Sequence, residues 1–282
     1  MAIDLAVQLM HATVQLEQPL GNGMRTVGTG FLISDPGPDG KPRTVLVTAN
    51  HVLAGMPGQI AHIGYRIENA DGSWAYSPQP LEIRDAKGHE LWTHHPSRDV
   101  AAMVIKAPAA FAQAAIPAGY LASDDTFNKY QVEAGDEMMA LGFPQGLAAN
   151  QAGFPILRSG RVASYPVAPA KIFPTFLLDF SVFPGNSGGP VFMTDQDHRA
   201  DVGAAKPRDP EFIAGLLTQQ VELNKQRLEI GIVTHAKYIR ETLALLDNPA
   251  APTTQVASEP QFPGAKAASA LEAVAPEEEH TP

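Results

Sequence analysis

Along most of the chain, hydrophobic residues fall in brief runs or alternate with polar ones, and Gly, Pro, Asn and Asp interrupt them at short intervals. Such runs read as half-buried or buried strands bounded by turns. The pattern predicts strands over 12–17, 24–34, 43–49, 59–68, 80–84, 99–106, 137–142, 155–164, 174–182, 190–193, 212–219 and 228–234. Helical spacing is confined to the ends. A short helix is predicted over 3–10 and a clearer one over 235–246, where Ile239, Leu243 and Leu246 share a face and Thr234 is placed to cap. A dozen short strands separated by turn residues predict an all-β fold, as a sandwich or a pair of barrels.

The pattern stops at residue 248. Residues 249–282 hold nine Ala and six Pro and almost no large aliphatic side chains. Such a segment buries too little surface to offset its ordering entropy, so a disordered Ala/Pro/Glu-rich tail is expected there. Its five Glu and one Lys account for -4 of the net charge of -10, leaving a mildly acidic body over 1–248. An acidic balance argues against nucleic acid as a partner.

Composition removes whole classes of chemistry. The 282 residues include no Cys, so disulfide scaffolds, thiolate nucleophiles and Cys-held metals are excluded. No apolar run approaches the roughly 18 residues of a membrane helix, so no membrane insertion is expected. The first residues carry no Lys or Arg before Arg25 and no long apolar block, which speaks against a secretory signal and for a cytoplasmic location. No cofactor or metal is expected, and the oligomeric state is not legible.

The most informative stretch is Pro184-Gly185-Asn186-Ser187-Gly188-Gly189-Pro190, between two apolar strands. A serine hydroxyl is a weak nucleophile unless a base takes its proton as it attacks. Flanking glycines permit a tight, unhindered turn and let backbone N–H groups converge on one point, where they can stabilise an oxyanion. A Gly-rich turn after a strand is the ordinary alternative for one such string. Two further segments weigh against it. His51 follows a β-branched strand in Val45-Leu46-Val47-Thr48-Ala49-Asn50-His51, and Asp99 opens an apolar strand, where an acid is costly without a partner. The order His, Asp, Ser is that of the chymotrypsin-type triad.

With these residues in view, the sequence resembles the trypsin-like, chymotrypsin-fold serine proteases, and among them the bacterial high-temperature-requirement (Deg-type) branch. The matching segments are Gly28-Thr29-Gly30-Phe31-Leu32-Ile33, Val47-Thr48-Ala49-Asn50-His51-Val52, Asp99-Val100-Ala101, Gly142-Phe143-Pro144-Gln145-Gly146, Gly160-Arg161-Val162-Ala163-Ser164 and Leu178-Asp179 through Pro190. The resemblance spans about residues 12–246. It implies two packed six-stranded antiparallel β-barrels, roughly 12–120 and 130–234, followed by the C-terminal helix. It implies a serine endopeptidase acting on protein or peptide substrates, with Ser187 as nucleophile, His51 as base and Asp99 orienting the imidazole. The oxyanion hole would lie at Gly185, Asn186 and Ser187, with the N–H groups of Gly185 and Ser187 as donors. Asn186 replaces the Asp that pairs with a new N-terminus in digestive relatives, so charge-pair zymogen activation is not expected. No peptide-binding PDZ module is expected after the protease.

Specificity is read from the pocket walls that the resemblance implies: Ser181 and Val182 at the floor, Leu216, Leu217, Thr218 and Gln219 along the substrate strand, and Gly231. Without an acid at Ser181, a pocket for Lys or Arg is disfavoured, and a small or medium apolar residue is expected before the cut. The alternative is a protease-fold protein that binds peptides or a partner without turnover. The remaining candidates read as ordinary surface. Adjacent His94 and His95 point to opposite faces of a strand and cannot share one ion, so both are expected as solvated loop residues. Asp195, Asp197, His198 and Asp201 lack the Gly and closing Glu of a calcium loop. Gly21-Asn22-Gly23 reads as a hairpin turn.

Overall fold

The computed structural model describes residues 4–21, 23–194, 211–223, 226–247 and 266–268. The N-terminal half runs α1 (Leu5–Ala12), β1 (Thr13–Gly21), β2 (Met24–Pro36), β3 (Pro42–Thr48), α2 (Asn50–Ala54), β4 (Ile60–Glu68), β5 (Trp74–Glu82), β6 (Thr93–His94), β7 (Ala101–Val104), α3 (Ala109–Ala114) and β8 (Ile116–Pro117). The second half runs α4 (Asp124–Tyr130), β9 (Glu137–Gly142), β10 (Ile156–Val162), β11 (Thr175–Asp179), β12 (Pro190–Met193), β13 (Phe212–Leu223), β14 (Gln226–His235), α5 (Ala236–Leu245) and β15 (Lys266–Ala268). Each of the twelve segments with strand patterning holds a strand. Gly21 and Met24 pair across the predicted hairpin turn, with Gly21 and Gly23 both at positive φ.

The second half closes into a barrel. Its strands run β12-β9-β10-β11-β14-β13, and β13 pairs back onto β12, so six strands form a ring; β15 adds to β13 outside it. The first half does not meet the expectation of a second closed barrel. Its sheet runs β5-β4-β1-β2-β3-β7-β6, with β8 parallel to β2, and no ladder among the described residues joins β5 to β6; the segments after β5 and before β6 meet at an isolated bridge between Arg84 and Glu90 and the hydrogen bond from Leu91 N–H to Ile83 O. The reason is length: β6 has two residues, so it offers β5 almost no ladder. Ile63, Leu81, Met103 and Val104 line the resulting gap.

Strand β2 pairs with β1 on one edge and β3 on the other, and Thr26 to Ile33 are all buried. It also seats the helix that carries His51. A Cβ at Gly28 would meet Val52 Cγ1 at 2.3 Å, so only glycine lets α2 lie this close to β2. At the other end of the half, Arg66 is 2% exposed. It donates to the carbonyls of Met10, His11, Thr13 and Gly153, and its guanidinium stacks over Phe111 and Phe154. It thus satisfies carbonyls that the end of α1 leaves open. Burial pushes its pKa down to about 10.

Helix α5 fastens the halves together. Glu241 on α5 accepts from His95 Nε2 at 3.0 Å, and Asp247 just beyond it pairs with Arg43 of β3. His95 is therefore not the solvated loop residue expected. It is 6% exposed, its Nδ1 accepts from Ser97 N–H, and its ring lies edge-on to Tyr238. Burial lowers its pKa. One core cluster runs through both halves. Among the described residues no helix is long and apolar enough to cross a membrane.

His235, at the end of β14, is 2% exposed and lies between the rings of Phe127 and Phe176. Burial depresses its pKa to about 4. The folded state thus keeps it neutral while an unfolded chain protonates it near 6.5. Stability present at neutral pH is lost as pH falls from about 6.5, and the loss levels off below about 4, amounting to about 3 kcal/mol. Urea unfolding at pH 7 and pH 4 should show wild type losing more stability than His235→Gln, by about that amount.

Candidate active site

The three candidate residues lie on three elements, and the structure joins two of them, His51 and Asp99. His51 is the second residue of α2, Asp99 lies in the turn before β7, and Ser187 lies in the turn before β12. Asp99 is 8% exposed and gives both carboxylate oxygens to one partner. Oδ1 accepts from the His51 backbone N–H at 2.9 Å, and Oδ2 faces His51 Nδ1 in a short hydrogen bond. The backbone contact satisfies an N–H that the first turn of α2 leaves open. The carboxylate thereby fixes both the position of the residue and the orientation of its ring, and it leaves Nε2 directed away. That Nε2 is buried without a hydrogen-bond partner. Ser187 is 2% exposed, and its Oγ donates to Thr218 O at 3.0 Å.

The loop before Ser187 is clamped from two sides. Pro184 O accepts from Gln145 N–H at 2.5 Å. In a trans peptide the C=O and N–H point opposite ways, so this bond turns the Gly185 N–H to the other face of the loop. Gly185 O accepts from Thr29 Oγ1 at 2.6 Å, and Thr29 Oγ1 in turn accepts from Phe143 N–H. Thr29 N–H also donates to Ser187 O, and Thr48 Oγ1 donates to Thr29 O. Thr29 is fully buried and links β2, the 142–146 turn and the loop that carries Ser187. Neither Thr29 nor Gln145 is singled out by the sequence reading; both lie inside the motif matches, and their contacts run through main-chain groups or one hydroxyl.

The middle residue of the loop is held differently. Asn186 N–H donates to Phe183 O at 3.1 Å, closing a turn, so this donor is engaged within the loop. The Asn186 side chain is buried, and neither of its polar atoms has a partner. Gly185 has φ +93°, and a Cβ there would lie 2.2 Å from Phe143 O. Gly185→Ala should therefore displace this peptide; if its N–H serves as an oxyanion donor, kcat falls about 100- to 1,000-fold with KM little changed. Steady-state kinetics alongside a circular-dichroism melt separates this from loss of fold.

Comparison with known proteins bears on this geometry. The family model for the trypsin-like peptidase domain matches residues 28–200. The chain belongs to that family. No curated protein matches it. Among solved structures, it is similar to the HtrA-type protease AlgW with tripeptide, at 16% identity and a TM-score of 0.51, over 87% of this chain and 63% of that one. The chain thus spans under two thirds of that relative's length. The protease Anisep from Arthrobacter nicotinovorans aligns at 14% identity and a TM-score of 0.48, over 83% of this chain and 94% of that one. The likeness to AlgW concerns the fold alone.

Within the family architecture, the residues expected at the pocket divide into two groups. Val182, Leu217 and Gly231 meet directly: a Cβ at Gly231 would lie 2.9 Å from Val182 Cγ2, 3.1 Å from Leu217 Cδ1 and 3.3 Å from Phe180 Cε1. Phe180 is an addition to the expected set. Leu216 is fully buried and pairs with Pro190 and Thr234. Thr218 donates through Oγ1 to Ile232 O. Ser181 and Gln219 are half-buried. The acidic stretch Asp195, Asp197, His198 and Asp201 lies outside the described residues. Among the described residues no group of three or more His, Asp or Glu is placed to hold a metal ion.

Proposed function

We propose that the chain is a serine endopeptidase in which Ser187, His51 and Asp99 act as the triad. The observation that carries this reading is Asp99 binding both the backbone N–H and Nδ1 of His51, in a family that cleaves peptides. With Nδ1–H held by the carboxylate, Nε2 is the lone-pair nitrogen that can take the Ser187 proton. Ser187 Oγ attacks the scissile carbonyl carbon, and the carbonyl oxygen takes up negative charge. The N–H groups of Gly185 and Ser187 receive that charge. The imidazolium, stabilised by Asp99, then protonates the leaving amine as the C–N bond breaks. Water, deprotonated by His51, hydrolyses the acyl-enzyme and restores Ser187.

Ser187 Oγ rests on Thr218 O rather than on His51. A rotation about its Cα–Cβ bond releases it, and catalytic hydrogen bonds are often completed only with substrate bound. The apolar, tightly spaced group of Val182, Leu217, Phe180 and Gly231 supports a shallow pocket that takes a small or medium apolar residue. A peptide library digested with wild type and with His51→Ala tests the reading. Cleavage after Ala, Val or similar residues by wild type alone is expected. Folded wild type that cleaves nothing would instead favour a peptide-binding role without turnover.

A further inference from the structure

Asp99 lies in the turn that joins β6 to β7, and His95 holds that turn at two points. Its backbone N–H donates to Val100 O at 2.9 Å, just past Asp99, and its Nδ1 accepts from Ser97 N–H at 3.2 Å. A ring nitrogen that accepts carries no proton, so the neutral imidazole carries it on Nε2. That nitrogen donates to Glu241 Oε2 at 3.0 Å. Glu241 on α5 thus selects the tautomer in which Nδ1 can take the Ser97 N–H. Tyr238, on the same helix, receives the His95 ring edge-on, and the Arg98 guanidinium lies over it 5.2 Å from the ring centroid.

Helix α5 belongs to the other half of the molecule. It follows β14 directly, and Tyr238 Oη donates to Ala170 O at 2.8 Å. Strand β14 pairs with β13, whose Thr218 O accepts from Ser187 Oγ. The turn that carries Asp99 is therefore set, through α5, against the half that carries Ser187.

Resting on the triad assignment above, we propose that His95 and Glu241 are positioning residues that keep the Asp99 carboxylate aligned on His51 by fixing the 95–100 turn against α5. Neither touches the reacting atoms; both act through the turn. The alignment is demanding because Asp99 must reach the His51 backbone N–H with one oxygen and Nδ1 with the other. A tilt of the turn that keeps the first contact draws the second oxygen off Nδ1, and the imidazole loses its fixed orientation. His95 is 6% exposed, so water does not readily replace its ring nitrogens as partners.

The alternative is that His95 only fills space against Tyr238, and two substitutions separate the readings. His95→Phe keeps a ring against Tyr238 and removes both nitrogens. His95→Asn loses the ring but places an amide oxygen near the position of Nδ1, where it can accept from Ser97 N–H. Glu241, whose side chain is 44% exposed, offers a second pair that does not threaten the core. Gln there can still accept from Nε2–H, whereas Ala cannot.

Steady-state kinetics, melting curves and proton NMR of these four variants test the inference, with a fluorophosphonate probe applied to wild type in parallel. His95→Phe should lower kcat about 10- to 100-fold with KM within about twofold. The downfield Nδ1–H resonance of His51, identified by its absence in His51→Ala, should move upfield in the same variant. His95→Asn should melt below His95→Phe yet keep kcat within about fivefold of wild type. Glu241→Ala should lower kcat by about threefold or more, and Glu241→Gln should restore it. If the probe modifies Ser187 but kcat simply follows the melting temperatures, or the His51 resonance stays in place in His95→Phe, the inference is overturned and the triad stands. If the probe leaves Ser187 unmodified, the triad assignment fails and takes this inference with it.

Discussion

Ser187→Ala should lower kcat on a cleavable peptide by about a million-fold, because the residues of such a triad act as a unit and losing the nucleophile removes the covalent route. What remains is the contribution of the oxyanion donors and substrate binding, about 1,000- to 10,000-fold over water. The substitution removes one oxygen that donates a hydrogen bond to Thr218 O, a main-chain group at the edge of β13. Thermal unfolding should therefore move little, since a single neutral hydrogen bond contributes about 1 kcal/mol. Steady-state kinetics of purified wild type and variant, with melting curves for both, checks the two halves of this expectation. A variant that retained a tenth of the activity would place the nucleophile elsewhere.

Asp99→Asn should lower kcat by about 10,000-fold with the fold intact. The reason lies in the two contacts of this carboxylate. One oxygen accepts from the His51 backbone N–H, which can only donate. An amide at this position must keep its oxygen there, which turns its NH2 toward Nδ1. Facing a donor, Nδ1 gives up its proton and the imidazole adopts the Nε2–H tautomer, which cannot accept the serine proton. Nitrogen NMR of the imidazole should report the change of tautomer, and kcat should fall while KM changes only slightly. Retention of kcat within tenfold would mean that Asp99 serves only to hold α2.

Much of the fold was legible in the sequence because strands leave side-chain signatures, and the residues proposed as a triad carry theirs in the flanking motifs. Alternation and brief apolar runs predict all twelve main strands, and His51, Asp99 and Ser187 each sit beside an apolar strand that fixes them. The elements that hold the loop before Ser187 were not legible. Gln145 acts through its backbone N–H and Thr29 through a hydroxyl shared among main-chain groups. A main-chain donor is present at every non-proline residue and marks none of them. His95 was misread because its burial depends on Glu241 and Tyr238 of a helix far along the chain. The open first sheet follows from the shortness of β6, whose two residues carry no periodicity. Strand β15 escaped notice because an Ala-rich segment has no strand pattern; its pairing is a property of the β13 edge.

The most direct test of the catalytic assignment is covalent labelling. Wild-type protein treated with a fluorophosphonate and digested should yield one adduct, on the peptide carrying Ser187, with labelling abolished in Ser187→Ala and slowed at least 1,000-fold in His51→Ala. Folded wild type that remains unlabelled, or an adduct that forms equally in Ser187→Ala, would contradict it.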